Sequence, residues 1–359
     1  MPDSIPAPVR DLLDGIRLRT TRPWKIMEVC GGQTHAIARL GLEELLPPEI
    51  TLLHGPGCPV CVTPVAFIDA ALKLAPRDGV ILGSYGDMLR VPGSQDDLLG
   101  AKASGADVRL FYSPWDAVEL AAESPDKQIV FLAVGFETTA PATALALRRA
   151  EALGLKNFFI LCAHVLVPPV LDMLMDMPDA RPDALLAPGH VCAVTGEREY
   201  AALAERHHLP VVVTGFEAVD LLRGILVGVD QLERGENRLA NAYARAVRPE
   251  GNPHALALMS EVFEPVDRAW RGLGVVPGGG LRLKGDYARF DALTAFGLHE
   301  SAEEPATSCR AGDVLRGTLA PYQCPAFGTA CTPAHPLGAP MVSGEGACAA
   351  CYRYARDTV

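Results

Sequence analysis

Between about residues 20 and 215 the chain alternates short apolar runs with longer helix-like segments. The runs are Lys25–Val29, Ile50–Leu53, Val80–Leu82, Val108–Phe111, Ile129–Val134, Phe158–Leu161, Ala184–Leu186 and Val211–Val213. Runs rich in Val, Ile, Leu and Phe suit strands buried on both faces of a parallel sheet. Strands alternating with helices imply right-handed βαβ units, so the fold class is α/β. Eight such strands suit one large sheet or two halves. A weak repeat favours halves: Val134-Gly-Phe-Glu-Thr138 and Thr214-Gly-Phe-Glu-Ala218 each follow a strand. Gly83-Ser-Tyr-Gly-Asp87 occupies a similar turn. Ligands gather at the carboxyl ends of strands in open α/β sheets. Asp87, Glu137 and Glu217 are therefore candidates for a cleft, or simple helix caps.

Beyond Gly215 the register changes. Ala218–Val247 reads as one or two long helices whose stripe of Leu221, Leu222, Ile225, Leu226 and Val229 faces a core. Pro277-Gly-Gly-Gly280 reads as a linker or turn. The remaining tail is rich in Gly and Pro and poor in periodic hydrophobics, and reads as a small domain organised by a metal. The expected division is residues 1–120, 121–235 and 236–359.

The balance of charge changes the partners. With 43 acidic against 32 basic side chains the net charge is −11, which argues against nucleic acid or an anionic membrane. No run of apolar residues is long enough to span a bilayer, and no apolar export signal is seen. Ten cysteines without such a signal suggest reduced thiols used for metal or redox work. The expected location is cytoplasmic.

Three cysteine motifs carry chemistry. Cys309, Cys324, Cys331 and Cys348 are spaced C-x14-C-x6-C-x16-C on irregular backbone, and thiolate sulfur is what iron–sulfur clusters and structural zinc demand. Cys351 follows Cys348 as C-x-x-C, so spacing alone leaves either as the fourth ligand. A zinc ribbon favours two close pairs, and the tail has one. Cys30 stands where a strand ends in Cys30-Gly-Gly-Gln-Thr-His35; the helix that follows is expected to lower its thiol pKa. His35 is a candidate for metal ligation or proton handling. In Gly55-Pro-Gly-Cys58-Pro-Val-Cys61, a C-x-x-C at a helix start suits a disulfide, a shared metal or dithiol–disulfide cycling. Cys162 and Cys192 read as buried structural cysteines. His164 and His190 follow strands, His190 in a turn that can face a cleft, and His207 and His208 read as an exposed helix end. No phosphate loop, nucleophile elbow or zinc-protease helix is present.

Together these strings resemble the HypD family of [NiFe]-hydrogenase maturation proteins. The likeness rests on Cys30-Gly-Gly-Gln-Thr-His35, Gly55-Pro-Gly-Cys58-Pro-Val-Cys61-Val-Thr-Pro64, Gly135-Phe-Glu137-Thr-Thr-Ala-Pro141, Gly189-His190-Val and Met341-Val-Ser-Gly-Glu-Gly-Ala-Cys348. It runs from about residue 10 to 355. The resemblance implies two similar α/β domains facing a cleft and a third domain holding a [4Fe-4S] cluster on Cys309, Cys324, Cys331 and Cys348, which sets Cys351 aside. It implies a scaffold, with a small HypC-like chaperone, for assembly of an Fe(CN)2CO unit whose cyanide comes from a HypE-like protein. The unit then passes to the hydrogenase large-subunit precursor. It implies Cys30 as the cleft cysteine and Cys58 and Cys61 as a redox pair that relays electrons from the cluster, with Cys30 and Cys61 as transient iron ligands and His35 and Glu137 as site residues. Some relatives carry histidine at the position of Gln33; an iron-binding role of that histidine would be lost here or pass to His35. The competing reading is an iron–sulfur-dependent thiol–disulfide oxidoreductase.

Overall fold

In the computed structural model, residues 5–179, 181–299 and 307–354 are described. All eight apolar runs form strands: β1 (Trp24–Glu28), β2 (Ile50–His54), β3 (Val80–Ser84), β4 (Val108–Leu110), β5 (Gln128–Gly135), β6 (Phe158–His164), β7 (Ala184–Pro188) and β8 (Val211–Thr214). Three more follow: β9 (Leu239–Asn241), β10 (Phe263–Trp270) and β11 (Gly274–Leu283). The strands form two parallel sheets, ordered β2-β1-β7-β8-β9 and β4-β3-β5-β6, and an antiparallel hairpin β10-β11. The second sheet's central strand β5 is buried over seven of its eight residues, as expected for a strand covered on both faces.

The sheets cut across the division expected at residues 120 and 235. β7 pairs with β1, so the first lobe is built from residues 24–54 and 184–241, and the second lobe, β3 to β6, is inserted between them. The chain crosses from one lobe to the other after β2 and returns through the helix Val167–Met175. A linear reading cannot see this, because a strand's neighbour in a sheet is chosen by packing and not by sequence order.

The last third also departs from expectation. The long helix after Gly215 stops at Arg234, with Gly235 at a φ of 66°, and β9 follows. Pro277–Gly280 lies within β11 and is not a linker. That hairpin wedges the lobes together: Phe263, Leu281 and Leu283 pack in the core of the second lobe, while Trp270, Leu273 and Val276 pack with Met27 and Tyr200 of the first and with Phe136, which follows β5. Trp270 is fully buried and its indole N–H donates to the Gly279 carbonyl at 3.0 Å. Among the described residues of the tail, from 307 to 354, the helices are short: Ala311–Leu315, Pro321–Gln323, Ala339–Met341 and Ala347–Tyr354. None of the described helices is long and apolar enough to cross a membrane.

Trp270→Ala should empty this wedge and cost about 3–5 kcal/mol, the usual range for a deleted core aromatic. Denaturant unfolding checks it; a change below about 1 kcal/mol would show that the hairpin does not tie the lobes together.

Candidate functional site

Cys30 leaves the carboxyl end of β1 as the N-cap of the helix Gly31–Leu40, in extended backbone. The loop after β2 lies directly on it. The Gly31 N–H donates to the Gly57 carbonyl at 2.6 Å, and the Gly55 N–H donates to the Glu28 carbonyl at 2.8 Å. A Cβ on Gly57 would stand 2.2 Å from the Cys30 nitrogen, so only glycine lets the two backbones touch. One residue on, Cys58 caps the short helix Pro59–Val62 and forms a disulfide with Cys61, Cα to Cα 5.2 Å. Cys58 is 3% exposed and Cys61 0%, whereas Cys30 is half-buried. Cys30 and the C-x-x-C pair are thus brought together by backbone contact.

Beneath Cys30 sits a buried charge network. The Glu28 carboxylate, wholly buried, accepts the Cys30 N–H at 2.9 Å, the Thr34 hydroxyl at 2.5 Å and the His54 Nδ1 at 2.8 Å. His54 Nε2 reaches Glu43 at 2.9 Å. Burial opposes charge on this imidazole, but the two carboxylates outweigh it and push its pKa up to about 10. Sequence reasoning passed over Glu28 and His54; the only signal was their place at the ends of two apolar runs.

The thiol of Cys30 does not behave as its helix position suggested. Burial, and next the Glu28 carboxylate, push its pKa up to about 12, outweighing the backbone N–H groups of Gln33 and Gly32. The helix dipole acts, but desolvation wins. Gln33 is buried, its amide donating to the Ala187 and Thr214 carbonyls at 3.3 and 3.2 Å, so it ties Cys30's helix to the ends of β7 and β8. His35 turns the other way. Its Nδ1 lies 3.0 Å from the Gly344 carbonyl and its Nε2 3.5 Å from the Tyr354 hydroxyl, fastening this helix to the tail.

The tail completes the neighbourhood. Cys309, Cys324, Cys331 and Cys348 line one small pocket walled by Val314, Phe327, Leu337 and Met341. Burial raises the Cys309 and Cys348 thiols, and the other pocket cysteines add to it. Cys351 lies elsewhere, in a cavity of about 540 Å³ with Glu43, His54 and Tyr322. Among the described residues no three His, Cys, Asp or Glu side chains converge as ligands of one ion. A cubane does not ask for that, since each cysteine binds its own iron at a separate corner, and four thiols in an apolar pocket fit such a group. Glu345, three residues before Cys348, abuts Gly31 and acts on the Cys30 thiol. Val60, between Cys58 and Cys61, packs with Ala339 and Val342 of the same segment.

Glu137 belongs to the second lobe and neighbours Cys192 and Tyr200 of the first. It is buried, Oε1 accepts the Val167 N–H at 2.9 Å, and Oε2 has no partner; burial pushes its pKa up to about 8. Burial, and next the Glu137 carboxyl, raise the Cys192 thiol beside Tyr200. Cys162 and Cys192 are both buried, as expected. Asp87 pairs with Arg90, and Glu217 with Arg245, at the rim. His207 departs from expectation: it is buried, with Nε2 2.7 Å from Asp172.

The family described as HypD, hydrogenase formation hypA family, matches residues 8–355. The chain belongs to the HypD family. It is 46% identical over 343 residues to the hydrogenase maturation factor HypD2 of Bradyrhizobium diazoefficiens, covering 93% of this chain and 90% of that one. It is 45% identical to HypD of Escherichia coli, covering 97% and 96%, and 48% identical to HypD of Rhizobium leguminosarum bv. viciae, covering 93% and 89%.

Two outcomes follow. Gly57→Ala should cost about 3 kcal/mol, the upper end for overpacking because the clash is with backbone, and should loosen both cysteine loops; thermal unfolding and Cys30 alkylation rates check it. His54 carries a raised pKa, so its stabilisation is complete below its ordinary value near 6.5 and is lost as pH rises through about 10. Wild-type stability should therefore fall across that window, and less steeply in His54→Gln; parallel slopes would contradict the network.

Proposed function

We propose that this HypD-family chain is a hydrogenase maturation factor that holds an Fe(CN)2CO unit on Cys30 while it is assembled. The observation that carries this reading is the contact of three sulfur-bearing segments: the Cys30 loop rests on Gly57, next to the Cys58–Cys61 disulfide, and both meet the segment leading to Cys348. A soft sulfur ligand at a strand end, mostly buried but still reached by solvent, suits low-spin iron carrying cyanide and carbonyl. A thiol must lose its proton to bind, and the raised pKa of Cys30 keeps it protonated until iron displaces that proton.

Cys309, Cys324, Cys331 and Cys348 would hold a [4Fe-4S] cluster, which supplies single electrons when bound. Cys58 and Cys61 form the two-electron couple of the site: disulfide plus two electrons and two protons gives the dithiol. A HypC-like chaperone would contribute a second sulfur to the iron, a HypE-like protein would donate cyanide, and the large-subunit precursor would receive the product. The competing role, a thiol–disulfide oxidoreductase acting on protein disulfides, is disfavoured by the burial of both Cys58 and Cys61, which a protein substrate could not reach without opening the loop.

Co-production with the HypC-like partner, anaerobic purification and infrared spectroscopy test the proposal. The wild-type complex should show cyanide and carbonyl bands. Cys30→Ala should lose them while keeping its absorbance near about 400 nm, the region of iron–sulfur charge transfer. Cyanide and carbonyl bands that persist in Cys30→Ala would overturn the assignment. Cys58→Ala should diminish the bands without affecting that absorbance; an undiminished yield would remove the dithiol from the account.

A further inference from the structure

His190 is the chemically capable side chain at this edge that the account so far leaves without a task. In the first sheet Glu28 pairs with Leu186, so the chain emerges after β1 and after β7 at one level and on one side. Cys30 follows the first strand and His190 the second. The side chain of His190 is exposed, and no hydrogen bond to its ring is found among the described residues. It is nevertheless not free to swing. Its ring stacks on Phe216 with centroids 3.9 Å apart and planes 27° from parallel. Phe216, from the end of β8, lies over Gly32, where a Cβ would stand 3.1 Å from the Phe216 ring and 3.9 Å from the Cys30 sulfur. Tyr243 meets Phe216 edge-on at 6.3 Å, and Arg245 caps Tyr243 at 4.5 Å while its guanidinium grips Asp220 through both oxygens. An aromatic wall beside Cys30 thus ends in a fixed imidazole.

Such an arrangement suits a particular ligand chemistry. Stacking fixes the ring plane without consuming either ring nitrogen, which removes much of the entropy cost of ordering a donor. Partial burial holds the His190 pKa below its ordinary value, so the ring is neutral near pH 7 and offers one N–H and one lone pair. A metal-bound cyanide presents a strongly accepting nitrogen at its outer end, carrying much of the ligand's negative charge, and hydrogen bonds to charged acceptors are the strong ones. Carbon monoxide bound to the same metal offers a far poorer acceptor. A single fixed N–H beside the sulfur ligand therefore distinguishes the two diatomic ligands.

We infer that His190 belongs to the cargo site and donates a hydrogen bond from its imidazole N–H to the nitrogen of an iron-bound cyanide. The role rests on the preceding proposal that Cys30 carries the iron. His190 touches the cargo, whereas Phe216 is a positioning residue that holds the ring.

The test compares His190→Phe, which keeps the stack and removes the donor, with His190→Gln, which restores an N–H donor. Each is purified anaerobically with the partner and its infrared bands are recorded. A hydrogen bond at cyanide nitrogen raises the cyanide stretching frequency. His190→Phe should therefore move a cyanide band to lower wavenumber by more than its line width, with a smaller carbonyl shift, and His190→Gln should move it back toward the wild-type value. Loss of the bands in His190→Phe alone also supports the donor role. Unmoved cyanide bands in His190→Phe overturn it, and so does equal loss in both variants, which marks a structural role. Absence of cyanide bands from the wild-type complex would instead defeat the assignment of iron to Cys30, so the two failures are separable.

Discussion

The backbone of Gly57 rests on the backbone of Cys30, and most of the site's chemistry depends on that contact. It joins the carboxyl ends of two neighbouring strands, so one loop cannot move without the other. A single side-chain carbon at Gly57 would collide with the Cys30 nitrogen, Cα and the preceding carbonyl carbon. Because the contact lies between main chains, it fixes Cys30 and the disulfide-bearing helix more tightly than side-chain packing alone could. Glu28 reinforces it from below by accepting a donor from each loop, the Cys30 N–H and the His54 ring.

The interleaved topology gives this local contact its reach. Lobe one is completed by strands that come after lobe two, and the β10–β11 hairpin threads Trp270 into one core and Phe263 into the other. The edge carrying Cys30 consequently meets Glu345 of the tail. His35 fastens the Cys30 helix to the helix of Cys348, so the cysteine pocket of the tail is held in a defined relation to the strand ends. Residues far apart in sequence meet here because the sheet edge collects every strand-end loop on one side.

How much of this was legible varies with the physics of each segment. Buried parallel strands announce themselves, since both faces need apolar side chains, and each of β1 to β8 was visible as a run. β9 was not, because Leu239-Ala-Asn is short and only half-buried. The hairpin was hidden by Pro265 and by Gly278–Gly280, residues that ordinarily break strands. The order of strands in each sheet left no local trace, so the expected division at residues 120 and 235 follows sequence where the sheets do not. Motif spacing marked the cysteines, but their electrostatics is a tertiary property. The helix N-terminus beside Cys30 was readable, whereas the burial and the Glu28 carboxylate that reverse its effect were not. His207 looked exposed from its polar neighbours and is buried against Asp172 from a helix 35 residues away.

The central claim is that Cys30 is an iron site separate from the cysteine pocket of the tail. Crystals of the iron-loaded complex with its partner, grown without oxygen and measured at the iron absorption edge, test it most directly. Anomalous density is expected at two places, within bonding distance of the Cys30 sulfur and inside the pocket of Cys309, Cys324, Cys331 and Cys348. Density confined to the tail, with Cys30 bare in a complex that carries bound cyanide, would contradict the account.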